Sequence, residues 1–211
     1  STQLDPEDDA EAPDSWEECR IGDLAFPVRG VTYSKPQARE SAEAGYLPIL
    51  RANNIGVGLN FDDLVFVPKE LISKDQLLQL GDLVVCTSSG SANLVGKSAR
   101  LTEPFKGSFG AFCAVLRPKC EWVGPFLDLL LHSPSVRSKF AGAGRGIGIN
   151  NLRISDLEAL RLFIPPIQEQ RRIVARVDEL MALLDRLSQT LESQSKLAAE
   201  FAAAAVHHLE A

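Results

Sequence analysis

The stretch closest to a catalytic motif is Gly90–Ser98, in which two glycines precede a lysine and a serine. A phosphate-binding P-loop has four residues between its glycines, so that successive N–H groups surround one phosphate. Here five residues separate the glycines, and residues 99–101 continue a strand-like run where the motif requires a helix. The sequence therefore does not predict ATP binding.

Other enzyme motifs are also incomplete. No acidic residue lies two positions before a lysine, as the usual metal-dependent nuclease arrangement requires. Ile164–Ile167 places an isoleucine on each side of two prolines, where a DNA amino-methylase has a polar and an aromatic residue. Gly142–Gly148 does not fit a dinucleotide-binding fingerprint, and there is no Gly-x-Ser-x-Gly motif. We expect a non-catalytic chain that binds no cofactor of its own.

The cysteines indicate a reducing compartment. Cys19, Cys86, Cys113 and Cys120 are scattered, without a Cys-x-x-Cys pair. Disulfide scaffolds are denser in cysteine, and zinc sites need clustered ligands. The sequence therefore predicts four reduced, mostly buried thiols and a cytoplasmic location.

Charge is distributed unevenly along the 211 residues, whose formal net charge is −6. Residues 1–15 carry six acidic and no basic side chains, whereas residues 16–164 carry seventeen Lys and Arg against fifteen Asp and Glu. Phosphate contacts depend on a local patch of positive charge rather than on the net charge of the chain. The overall acidity therefore neither excludes nor supports a nucleic-acid ligand.

Three regions differ in composition. Residues 1–15 are acidic and almost free of large apolar groups, which predicts a disordered tail or linker. Residues 16–164 contain short apolar, β-branched runs separated by Gly, Pro, Asn and Asp. They predict an irregular α+β domain with a curved mixed or antiparallel sheet. Residues 165–211 have no Gly or Pro after an initial Pro-Pro pair, and they predict one long helix.

The periodicity of the middle region locates its elements. Val123–His132 places apolar side chains on one face and predicts a helix, and Ser135–Phe140 predicts a further turn or two. The predicted strands are 46–51, 64–68, 82–87, 94–101, 112–117 and 160–164.

An apolar heptad repeat runs along the long helix in alternating steps of four and three residues. Gln194 and Ala198 fill two of its positions, and the large apolar members, which we name the seam, are Ile173, Val177, Leu180, Leu184, Leu187, Leu191 and Phe201. Such a repeat is typical of a coiled coil, although it does not separate parallel from antiparallel pairing. The alternative is an amphipathic helix lying on its own domain. Because a stripe of roughly 67 Å is too long for a small domain to cover, we expect a partner helix.

Several loops of the middle region carry hydrogen-bond donors beside flexible glycines. Arginine can bind guanine with two hydrogen bonds, asparagine can bind adenine in the same way, and serine can hold phosphates. Asn, Ser and Gly are also ordinary turn residues, so each position taken alone has a structural interpretation. The candidate DNA-contacting residues are Arg51, Asn53, Asn54, Ser89, Lys97, Arg145, Asn150, Asn151 and Lys35.

Six short stretches of the sequence are informative because of their order and spacing along the chain. They are Tyr46–Ile55, Gly81–Val85, Ser89-Gly90, Val95–Lys97, Ile149–Leu152 and Leu162–Val174. Together they resemble the target-recognition domain of type I restriction-modification specificity subunits. The last and strongest stretch resembles the junction at which such a domain passes into its conserved helix. The resemblance extends over about residues 16–205.

The resemblance implies a subunit with two recognition domains joined by two long helices that pack as an antiparallel coiled coil. Each domain would contact one half of a split double-stranded DNA target, chiefly in the major groove. Methylase subunits and a restriction and translocase subunit would dock on this scaffold. S-adenosylmethionine, ATP and Mg²⁺ would be bound by those partners and not by this chain.

One recognition domain and one helix make about half of such a subunit. Ser1 and the linker-like Asp5–Asp9 segment favour a piece of a longer chain, whereas a half-subunit would form a homodimer through the seam. Both interpretations predict self-association. The rival hypothesis is a coiled-coil adaptor whose globular head binds protein rather than DNA.

Overall fold

The structure, a computed structural model, describes residues 13–91, 94–143 and 150–209. The first twelve residues of the predicted acidic tail therefore lie outside the described residues. Strands and helices are mixed along the chain, which confirms the predicted α+β class. Contacts divide the chain into two compact units, one that ends at Gln170 and one that begins at Arg171.

The first unit contains eleven strands and four α-helices among its described residues. The strands are β1 Glu17–Arg20, β2 Ala25–Arg29, β3 Tyr46–Leu50, β4 Val65–Pro68, β5 Leu83–Cys86, β6 Ser88–Ser89, β7 Ser98–Arg100, β8 Ser108–Phe109, β9 Cys113–Pro118, β10 Asn150–Asn151 and β11 Arg161–Ile164. The helices are α1 Ile21–Leu24, α2 Val123–His132, α3 Pro134–Ala143 and α4 Ile154–Ala159. A fifth helix, α5, extends from Ile167 to Leu209.

The strands of the described residues form four sheets, whose pairing is mixed or antiparallel as the sequence predicted. The largest is antiparallel, with strand order β2-β9-β5-β7. A mixed sheet of order β4-β3-β8 has one antiparallel and one parallel pair, and β1-β11 and β6-β10 form two-stranded antiparallel ladders. The division into four sheets had no local signal in the sequence, because pairing between distant short strands leaves no local pattern.

Strands β5 and β9 form the centre of the largest sheet. Leu83–Cys86 and Cys113–Leu116 are continuous apolar runs that are buried on both faces. Continuous rather than alternating hydrophobicity is what a strand needs when both of its faces are covered. Leu83 and Val85 pack with Leu127 of α2 on one face. Val84 packs with other buried residues in a second cluster on the opposite face.

A buried ion pair holds one end of these two strands together. Arg117 donates from Nε to Asp82 Oδ1 over 2.9 Å and from Nη2 to Asp82 Oδ2 over 2.8 Å. The Asp82 side chain is 1% exposed. Arg117 also donates to the carbonyl oxygen of Leu77, and the Gln79 N–H donates to Asp82. Its hydrogen bonds with Asp82 raise the pKa of the Arg117 guanidinium.

One predicted strand is shorter than expected. The pattern predicted a strand over 94–101, but only Ser98–Arg100 is extended. The Lys97 N–H donates to Leu94 O and closes a turn, within which Gly96 has a φ of +78°. A Cβ atom at Gly96 would approach Phe140 to 2.6 Å, so both the backbone conformation and the packing require glycine here.

The second unit is the continuation of α5. The helix begins directly after Pro165-Pro166, as the sequence predicted, and its 43 residues extend over roughly 65 Å. Seam residues Leu180, Leu184, Leu187 and Leu191 are 44% to 65% exposed. The side chain of Phe201 lies outside the described residues. Among the helices described here, none is long and apolar enough to cross a membrane.

Replacing Asp82 with asparagine should destabilise the domain by about 3 kcal/mol, because removal of one partner leaves the other charge buried and unpaired. Urea unfolding of the purified chain measures this loss. The matched control is Glu18→Gln, which breaks the exposed 2.7 Å pair with Arg161 and should cost less than about 1 kcal/mol. Equal losses for both variants would contradict the structural role of Asp82.

Alkylation should distinguish the four cysteines at pH 8. Burial, and secondly the neighbouring Cys86, raises the pKa of Cys113 to about 12, so its thiol stays protonated and unreactive. Cys120 is exposed and should react first with iodoacetamide. Mass spectrometry of a native time course, with a urea-unfolded sample as control, measures the order. Modification of Cys113 as fast as Cys120 would contradict the structure.

Candidate nucleic-acid interface

A concave surface of about 810 Å³ lies where β5 ends and β9 begins. Four chain segments that are distant in sequence form its walls. We name it the cleft, and the residues that carry its chemistry are Tyr33, Arg51, Asn53, Ser88, Ser89 and Phe112. Three of these, Arg51, Asn53 and Ser89, are candidate residues from the sequence.

A close backbone approach fixes the segment that leads into Tyr33. The Val31 N–H donates to Phe109 O over 2.7 Å, and Val31 forms a bridge with Gly110. A Cβ atom at Gly30 would lie 2.0 Å from the carbonyl oxygen of Gly110. Glycine at position 30 is therefore required for this wall of the cleft to form.

The wall that contains Arg51 is built by the side chain of Asn54. The Arg51 N–H donates to Asn54 Oδ1 over 2.9 Å, and Asn54 Nδ2 donates to Asp62 O over 2.8 Å. Asn54 is only 1% exposed, so its amide is used within the loop. The assignment of Asn54 as a DNA contact is corrected accordingly, since it shapes the turn that presents its exposed neighbour Asn53.

Arg51 itself is partly anchored. Its Nη2 donates to the carbonyl oxygen of Asp63 over 2.7 Å, which holds the guanidinium in one direction. Its Nε is buried and has no hydrogen-bond partner among the described residues. A positioned guanidinium loses less conformational entropy on binding, so this geometry favours a directed contact with a ligand.

The opposite wall is the end of β5 with its continuation into β6. Thr87 N–H and Ser88 N–H both donate to Phe112 O, over 2.9 and 3.1 Å. Strand β6 pairs with β10 so that Ser89 is opposite Asn150 and Ser88 is opposite Asn151. The structure therefore brings the backbones of three candidate residues, Ser89, Asn150 and Asn151, to one edge of the cleft.

Two cations lie close to the end of β5. Burial raises the pKa of the Cys86 thiol, and the positive charges of Lys97 and Arg137 are near enough to oppose that rise. In the described part of the chain, neither cation nor Arg51 has a carboxylate oxygen within 4 Å. Positive charge near the end of β5 is therefore available to an anionic ligand.

The remaining candidate residues from the sequence do not line the cleft in the described part of the chain. Lys35 is exposed in a short 3₁₀ turn that follows Tyr33 by two residues. Arg145 lies outside the described residues. The sequence did not indicate Tyr33 and Phe112 as cleft residues, nor Arg137 as a cation near Cys86, because these positions depend on packing between distant segments. Only Phe112 had a local signal, a large apolar residue directly after the turn-forming Gly110-Ala111.

The cleft combines groups that suit a duplex nucleic acid. Amide and guanidinium donors can contact base edges, hydroxyls and backbone N–H groups can contact phosphates, and the cations add general attraction. Among the described residues, no three His, Cys, Asp or Glu side chains converge to form a metal site. The arrangement supports recognition of a ligand by hydrogen bonds, apolar contact and charge.

Comparison with known proteins shows the family. Residues 13–194 match the family described as type I restriction modification DNA specificity domain. The EcoKI specificity subunit of the type I restriction enzyme of Escherichia coli K12 is 38% identical over 191 residues. That alignment covers 90% of this chain and 41% of the relative, so the chain spans about two fifths of the relative's length.

Solved structures show the same fold at low sequence identity. The HsdS subunit from Thermoanaerobacter tengcongensis has a TM-score of 0.62 at 20% identity, over 88% of this chain and 42% of that one. A chain from a structural study of complex assembly and conformational transition in a type I R-M system has a TM-score of 0.65 at 20% identity, over 88% and 43%. By its sequence match over most of its length, the chain belongs to the family of type I restriction modification DNA specificity domains.

Proposed function

We propose that this chain recognises one half of a bipartite double-stranded DNA target as a specificity component of a type I restriction-modification system. The observation that carries the proposal is the cleft, where Arg51, Asn53 and Ser89 meet in a chain that belongs to a DNA specificity family. Their donors suit base edges and phosphates. The chain supplies specificity, and catalysis belongs to its partners.

The partners follow from the same assignment. A methylase subunit and a restriction and translocase subunit would dock on the chain in the cytoplasm. S-adenosylmethionine, ATP and Mg²⁺ would then be cofactors of those subunits. The mildly basic composition of residues 16–164 allows only a few phosphate contacts, so the docked methylase would add affinity.

The seam supports a second part of the proposal, pairing of α5 with another such helix. Its exposed leucines form a continuous apolar stripe that is costly to leave in water. In a homodimer, or in a longer two-domain subunit, rigid paired helices would fix the distance between two recognition domains. A fixed distance between two docked domains corresponds to a DNA target with an unread spacer.

The adaptor hypothesis makes different predictions from this proposal. A head that binds protein requires neither a salt-sensitive affinity for DNA nor association with a methylase. Nothing in the comparisons supports that alternative, since the matched family is defined by DNA specificity. Binding measurements with the cognate methylase distinguish the two hypotheses.

Substitutions in the cleft should separate base contacts from phosphate contacts. In the complex with the cognate methylase, Arg51→Ala should reduce the preference for target over scrambled duplex by roughly 5- to 100-fold, which is the effect of a lost base contact. Arg51→Lys keeps the charge but not the two-pronged geometry, so it should lose specificity and retain the salt dependence.

Lys97→Ala and Arg137→Ala should instead weaken target and scrambled duplexes equally. Each should lower the slope of log affinity against log salt concentration by about 1. Lys74→Ala is the matched control, because Lys74 is an exposed cation in a turn at the Asp82–Arg117 end of the sheet.

Unchanged specificity in both Arg51 variants would contradict the assignment of the cleft as the DNA-binding site.

Charge in the seam should prevent self-association. We expect the purified chain to be dimeric at tens of micromolar and Leu184→Glu combined with Leu187→Glu to be monomeric, because two carboxylates would be buried between helices. Light scattering coupled to size-exclusion chromatography measures the mass. Gln189→Glu introduces a carboxylate outside the seam and should remain dimeric. A monomeric unmodified chain would contradict pairing through α5.

A further inference from the structure

We propose that the Phe112 ring recognises the 5-methyl group of a thymine in the DNA half-site. The inference rests on the proposed function, and it adds a residue and a base chemistry to that function. Phe112 lines the cleft and is 69% exposed. An aromatic ring that is this exposed contributes little to the stability of the domain.

The backbone of Phe112 is held more firmly than that of an ordinary turn residue. Its carbonyl oxygen accepts three hydrogen bonds, from Thr87 N–H at 2.9 Å, from Ser88 N–H at 3.1 Å and from Thr87 Oγ1 at 3.1 Å. The next residue, Cys113, begins a strand whose first four residues are buried. An exposed ring on a rigid backbone is suited to contact with a ligand, because little further conformational freedom is lost on binding.

The neighbours of Phe112 define the chemistry of its ligand. Arg51 and Asn53 offer donors in the same cleft, and Lys97 and Arg137 add positive charge at the adjoining end of β5. An apolar peptide would gain nothing from these cations, whereas duplex DNA meets donors, cations and ring together. Charge complementarity, together with the DNA specificity family to which the chain belongs, therefore favours DNA as the occupant.

Within the major groove, thymine is the base that presents an apolar group. Its 5-methyl group is recognised by apolar side chains, phenylalanine included, whereas other base edges present hydrogen-bonding atoms. The donors beside Phe112 would contact neighbouring base edges at the same time. The alternative use of an exposed ring is insertion between base pairs, which does not depend on the thymine methyl group.

The test replaces each thymine of the half-site, one at a time, with deoxyuridine, which lacks only the methyl group. Affinities are measured for the chain in complex with its cognate methylase. At one position the unmodified chain should bind the deoxyuridine duplex about fourfold more weakly, the effect of one lost buried methyl group. Phe112→Ala should bind the thymine duplex more weakly and be insensitive to deoxyuridine at that position.

Phe26→Ala is the matched control. Phe26 is 57% exposed, but it pairs with Arg117 at the other end of the largest sheet, so its variant should keep the full methyl sensitivity. Methyl sensitivity that persists in Phe112→Ala, or that occurs at no thymine, would overturn the inference. If target and scrambled duplexes bind equally, the proposed function itself fails, and the inference fails with it.

Discussion

The pairing register of strands β5 and β9 determines the structure at both ends of this strand pair. In that register Val84 is opposite Val115, which places Asp82 beside Arg117 at one end and Thr87 beside Phe112 at the other. A shift of one residue would move every side chain of the strand to the opposite face. It would also separate the ion pair. The same pairing that stabilises the core therefore determines where the cleft forms.

Local periodicity explains what the sequence predicted well. Helix α2 has the predicted bounds, Val123–His132, because its apolar face repeats within a single element. Helix α5 follows from a heptad repeat and from a Pro-Pro pair that fixes its start. The central strand β5 was predicted within one residue at each end, since a continuous apolar run between Asp82 and Thr87 leaves few alternatives.

Long-range pairing explains what the sequence could not predict. Strand β1 pairs with β11, which is more than a hundred positions away, so neither strand carries a mark of its partner. Asn53 and Asn54 are adjacent residues of the same type, so the sequence does not distinguish them. The Asn54 amide closes a turn, whereas Asn53 is exposed to solvent. Arg51, Asn53 and Ser89 were predicted as candidates because loop donors are visible in the sequence, whereas the position of Phe112 in the same cleft is a product of the fold.

The cleft combines a backbone held by hydrogen bonds with side chains of several chemical types, which suits the DNA recognition that we propose. Hydrogen–deuterium exchange of the complex with the proposed methylase partner tests this location most directly, with target duplex compared against scrambled duplex. We expect target-specific protection in residues 30–33, 51–55, 87–91 and 110–113. Target-specific protection confined to residues 74–82 and 117–121, at the Asp82–Arg117 end of the sheet, would contradict it.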